Sequence, residues 1–134
     1  MSVRHLHRFA VKGLGPDSLP SVNLQAGEAF PHDREWALLK KEHEGKFDAE
    51  APAWLHKEHF ACAYTAGEAL AALESAFDDQ SGELTVRQPV AAREVCANLR
   101  APEQVSKKLA TSACLLSLHV SAIMLQHRSH RRHA

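Results

Sequence analysis

The sequence predicts a β-rich α+β domain: a small barrel-like or strongly bent sheet with one short capped helix, followed by a C-terminal helix. Three observations carry that expectation. Within the first 88 residues, short apolar runs with a period of two are separated by glycine and proline turns. One stretch after Thr65 opens with a capping pattern and continues at spacings of three and four. The 52 residues after Gly82 contain no glycine, which favours uninterrupted helix over sharp turns.

Residues 3–11 (VRHLHRFAV) place Val3, Phe9 and Val11 on one face at strand period, predicting a first strand. Residues 13–17 (GLGPD) supply turn chemistry, and Leu19 to Leu24 reads as a second short strand carrying Val22 and Leu24 on one side. Gly27 breaks the chain again. Residues 35–39 (EWALL) form an apolar run, and the polar stretch from Lys40 to Lys46 followed by Phe47 suggests a hairpin. Residues 59–64 (HFACAY) add a candidate strand. Thr65 and Glu68 stand at capping-box spacing, so a helix is expected behind them with Leu70, Leu73, Ala76 and Phe77 on its apolar face. Asp78 to Gly82 reads as a loop, and Glu83 to Arg87 alternates as a terminal or edge strand before Pro89.

The predicted organisation is a β-rich module over 1–88, a connector over 89–101 and a helical, basic tail over 102–134. Charge marks the same boundary: residues 1–88 hold 9 Lys and Arg against 14 Asp and Glu, whereas residues 89–134 hold 7 against 2. Pro102 suits a first helical turn, and Val105, Leu109, Ala113, Leu116, Val120 and Ile123 define one face of the expected C-terminal helix. Ala113 to Leu125 is apolar, but its 13 residues fall short of the roughly 20 needed to cross a bilayer. The basic end, His127 to His133, has no interleaved aromatic residues for base stacking, so nucleic acid ranks last among the expected partners.

With 45% hydrophobic and 24% charged residues the composition is that of an ordinary globular chain, which excludes disordered and fibrous classes. Cys62, Cys96 and Cys114 are odd in number and lack C-x-x-C spacing, arguing against a disulfide framework or a structural zinc site. Together with an N-terminus that lacks the apolar run of a signal peptide, this sets a cytoplasmic expectation. His5 and His7 share a strand face without a third ligand. The pair His56 and His59 matches neither H-E-x-x-H nor H-x-x-E-H, so no metal role is assigned to them. Cys62, inside an apolar run, reads as a buried core thiol.

Four blocks in order carry a resemblance: Leu6 to Leu14 (LHRFAVKGL), Leu19 to Leu24 (LPSVNL), Gly27 and Glu28, and Pro31 to Leu39 (PHDREWALL). It extends through Phe47 and Asp48, residues 52–57 (PAWLHK), His59 and Phe60, and more loosely through Phe77 and Gly82 to Val86. The chain thereby resembles the MOSC N-terminal β-barrel family, whose pattern is a strand ending in Pro-Val-Lys-Ser/Gly-Leu, a short strand, a glycine-rich turn, and Gly-Asp-Arg before an apolar strand. Here Ala10 stands for that proline and His32 for that glycine.

The resemblance implies a module that cradles the molybdenum cofactor, molybdopterin, against a C-terminal MOSC domain, which supplies the metal-ligating cysteine. Lys12 and Arg34 match the family's basic positions for the cofactor's phosphate and pterin portions, and Gly13 would let a phosphate approach the backbone. Neither Cys96 nor Cys114 matches the metal ligand. The implied function is part of an oxidoreductase or sulfur-transfer protein, not catalytic by itself. The alternative is an interaction module that docks a partner, a MOSC domain among the candidates, through its C-terminal helix. The residues after Leu99 depart from the family and are too few for a MOSC domain, so the tail reads equally as truncated, shifted in frame, or a purposeful helix.

Overall fold

The computed structural model describes residues 1–46, 48, 55–101, 104, 105, 107, 108, 112 and 120–125, the last six as backbone only. The β-rich α+β expectation holds, with strands grouped into three ladders. Among the described residues these ladders do not close into a barrel, which corrects the barrel-like expectation.

The predicted first strand is two strands. β1 (Leu6–Arg8) pairs antiparallel with β3 (Asp17–Leu19), and after a bend at Ala10, β2 (Val11–Lys12) pairs parallel with β4 (Trp36–Lys40). The bend lets Arg8 turn inward to Asp17 while Val11 aligns with Trp36. The second strand lies earlier than predicted, at Asp17–Leu19, and Leu24 is exposed.

β4 is the centre of the molecule. Trp36, Ala37, Leu38 and Leu39 are all buried, as an apolar run covered on both faces requires. Trp36 and Leu38 enter the main core with Val11, Leu14, Leu70, Phe77, Leu84 and Val86, while Ala37 and Leu39 pack with Phe60 and Leu55 on the other side. Complete burial of a side chain such as Leu38 contributes about 1.5–3 kcal/mol. In place of the expected hairpin, Lys41–Lys46 form a 3-10 helix; Phe47 lies outside the described residues.

Residues 59–64 make no strand. Phe60 forms a single bridge to Leu39, and the Ala61 N–H donates to the Leu38 carbonyl at 2.8 Å. Helix α1 (Ala63–Ala71) starts three residues earlier than predicted, with Cys62 in place of Thr65 as its N-cap. Thr65, three positions on, accepts the Cys62 N–H through its hydroxyl at 2.9 Å, so the box is Cys62 with Thr65 and not Thr65 with Glu68. Ala66 has non-helical φ of −152° and kinks the helix. The helix also ends before Ala76 and Phe77, which lie in β5 (Glu74–Phe77).

β5, β6 (Glu83–Gln88) and β7 (Arg93–Asn98) form an antiparallel meander. The β6 strand falls where predicted, but it is the central strand of the meander and not an edge or terminal one, because β7 occupies what the sequence suggests is a connector and pairs with its second edge. The turn before β6 is locked by Asp78, whose carboxylate accepts the backbone N–H groups of Gln80 and Ser81. Those bonds hold its pKa below the ordinary carboxylate range.

The C-terminal expectation is half corrected. Gln104, Val105, Lys107 and Lys108 are helical, and Val105 is completely buried in the main core. Val120–Leu125, however, form β8, antiparallel to β4 with Trp36 opposite Leu125. β4 needs a hydrogen-bonding partner on its second edge, and a β-branched, apolar segment satisfies that need as a strand. These six residues are therefore paired within the chain and do not extend a helical docking face; residues 113–119 lie outside the described residues. No helix among the described residues is long and apolar enough to cross a membrane.

Candidate functional site

The parallel pairing of β2 with β4 places Lys12 opposite Ala37. Just before that ladder, the backbone N–H of Arg34 donates to the Phe9 carbonyl at 2.6 Å, each residue three positions before Ala37 and Lys12 respectively.

Lys12 is half-buried, with its Nζ 5.8 Å from the centroid of the Phe60 ring, within cation–π range. Among the described residues no carboxylate forms a salt bridge with it. Its charge reaches Cys62 at the start of α1. Gly13 follows at φ +88°, and a Cβ there would stand 3.0 Å from the Ala61 carbonyl oxygen and 3.2 Å from the Cys62 Cα. The side-chain position of Gly13 is thus filled by protein backbone, and its glycine identity is explained by the approach of β2 to α1. That corrects the expectation that the missing side chain makes room for phosphate.

Arg34 is exposed and lies in the loop before β4. His32 and Arg34 both adopt left-handed backbone, at φ 57° and 52°, on either side of Asp33. Such conformations cost non-glycine residues on the order of 1–2 kcal/mol and persist only where surrounding contacts impose them. Those contacts are visible. The Asp33 carboxylate accepts the Phe9 N–H at 2.9 Å and Arg34 Nη1 at 2.9 Å. His32 bonds Glu35 through Nδ1 at 2.6 Å and stacks on Trp36.

The chain matches no protein-family model, no curated protein and no solved structure. The site therefore rests on its own geometry.

Two features were missed by sequence reading. The first is Cys62, which is buried as expected but caps α1 beside Lys12 and Gly13. Burial raises the pKa of its thiol, yet the Thr65 hydroxyl, the N–H groups of Tyr64 and Thr65 and the Lys12 charge outweigh that and hold it below the ordinary 9.0. The misplaced capping box hid this role. The second is Arg8, only 3% exposed, which donates to Asp17 at 2.7 Å and to the Phe77 carbonyl at 2.7 Å. An arginine in an otherwise strand-like run carries no sequence signal of burial.

Histidines serve locally. His56 accepts the Glu58 N–H at the start of the 3-10 turn Lys57–His59, and His43 packs edge-on against His59. Among the described residues no group of three or more His, Cys, Asp or Glu side chains is arranged to hold a metal ion.

Proposed function

We propose that this chain is the N-terminal module of a MOSC-type protein, contributing Lys12 and Arg34 to a cradle for the molybdenum cofactor without carrying the catalytic centre itself. The observation that supports this reading best is the backbone of His32. It occupies the position where the family pattern has glycine, in the sequence His32-Asp33-Arg34, and its φ of 57° is one that glycine adopts without cost. A histidine there is strained, so the loop retains a shape suited to the family's residue.

The chemistry of the donor set fits a phosphorylated group. Arg34 offers a planar guanidinium from the exposed loop before β4 and Lys12 a point charge on β2. Gly13 serves by fixing Lys12 against α1. When bound, the cofactor would supply redox or sulfur-transfer chemistry at its metal; these residues supply charge and orientation. The family's metal-ligating cysteine belongs to the MOSC domain, and Cys62 is committed to capping α1.

The test is to express the full chain in a host that makes the cofactor and to assay purified protein for molybdenum and for fluorescent oxidised pterin. Lys12→Ala and Arg34→Ala should each lower loading about tenfold or more, the scale of a charge-assisted contact. Wild-type protein as empty as the double variant would overturn the function, and unchanged loading in both single variants would overturn the site.

A further inference from the structure

We infer that Asp33 is the positioning residue that aims Arg34 at its ligand, an inference that rests on the reading of Arg34 as an anion-binding residue. Three separate contacts converge on Phe9. Its N–H donates to the Asp33 carboxylate at 2.9 Å, its carbonyl accepts the Arg34 N–H at 2.6 Å, and the Arg34 guanidinium lies 5.4 Å over its ring. Asp33 then takes Nη1 of Arg34 at 2.9 Å. The carboxylate is mostly buried, its side chain 14% exposed, while the arginine side chain is 56% exposed.

This arrangement divides the guanidinium in two. Nη1 is tied inward, and among the described residues no hydrogen bond engages Nε or Nη2. Those two nitrogens form the side edge of the planar fork, the edge that grips two oxygens of a phosphate at once. An arginine held this way has fewer rotamers left to freeze when an anion arrives, so orientation is supplied before binding. The left-handed φ at Arg34 is what allows its N–H and its guanidinium to face the same residue, Phe9.

A carboxylate beside an anion site also repels the anion, and the two effects have opposite signs on removal of its charge. Asp33→Asn removes both, because asparagine still accepts the Phe9 N–H but is neutral and no longer attracts Nη1, so weaker binding means that lost positioning outweighs relieved repulsion. The experiment is a titration of the full chain with inorganic pyrophosphate at constant ionic strength, following the Arg34 Nε–H resonance. Wild type should show a saturable shift, and Asp33→Asn should bind about two- to tenfold more weakly, the cost of freezing one side chain. Equal or tighter binding in Asp33→Asn would overturn the inference while leaving Arg34 as the anion contact. A wild-type resonance that ignores pyrophosphate, or an Arg34→Ala chain that binds pyrophosphate as well as wild type by calorimetry, would overturn both. In the free wild type the Nε–H should already be ordered on the nanosecond scale; a mobile guanidinium contradicts positioning without recourse to any variant.

Discussion

Lys12, Gly13 and Cys62 meet where β2 turns toward α1, and the meeting gives the thiol a measurable signature. The thiol's pKa is shifted downward on folding, against the effect of burial. The folded chain therefore favours the thiolate, and the stability this contributes is full above the ordinary thiol value of 9.0 and lost as pH falls through the lower folded value. The stability of wild type relative to Cys62→Ser, measured by urea denaturation, should rise as pH is raised toward 9 and then level off. A difference independent of pH would contradict the arrangement. At this scale the sequence was legible as the position of charge: Lys12 ends β2 on the β2–β4 ladder, and Arg34 lies in the loop before β4, joined to Phe9 by its backbone N–H. Gly13 was legible as a special position, but the reason for it was not, because the atoms that fill its missing side chain come from Ala61 and Cys62, about 50 residues away in sequence.

Elements were legible where one local signal dominated. The alternation of Leu84 and Val86 between polar neighbours predicts β6 and finds it. Helix α1 was right in kind and wrong at both ends. Leu73, Ala76 and Phe77 continue a helical spacing, yet Ala76 and Phe77 pair with Thr85 and Leu84 across a hairpin. Cross-strand bonds and the Asp17 carboxylate on the Phe77 N–H outweigh a preference worth only tenths of a kcal/mol per residue. The connector containing Pro89 is likewise a working turn: the Ala92 N–H donates to the Pro89 carbonyl at 3.1 Å, and Ala92 adopts φ 50°. Ala92 is exposed, so replacing it with glycine removes strain without removing packing. Ala92→Gly should stabilise the protein by about 0.5–1 kcal/mol, the left-handed penalty less the entropy of glycine, read as a higher urea midpoint at unchanged slope. A lower midpoint would show that the turn is not strained.

At the scale of the molecule, one buried ion pair ties the ladders together. The Asp17 carboxylate on β3 takes Arg8 of β1 at 2.7 Å and the Phe77 N–H of β5 at 3.2 Å, and Arg8 in turn donates to the Phe77 carbonyl. Asp17→Ala leaves Arg8 buried without its close partner, and breaking such a pair costs about 3–5 kcal/mol, a large part of the stability of a small domain. Equilibrium denaturation should show that loss; a change under about 1 kcal/mol would mean that Asp79, the other carboxylate at Arg8, suffices by itself. The β-rich class, a strand over 83–87 and the burial of Cys62 were determined by the sequence, because strand period and apolar runs act within a few residues. The break of the first strand, the two-sided burial of β4, the conversion of 120–125 from expected helix to β8, and the clamp of Asp33 and Arg34 on Phe9 were decided only by the tertiary structure. In each case a backbone or buried polar group needed a partner distant in sequence, and unsatisfied hydrogen bonds cost more than local propensity returns.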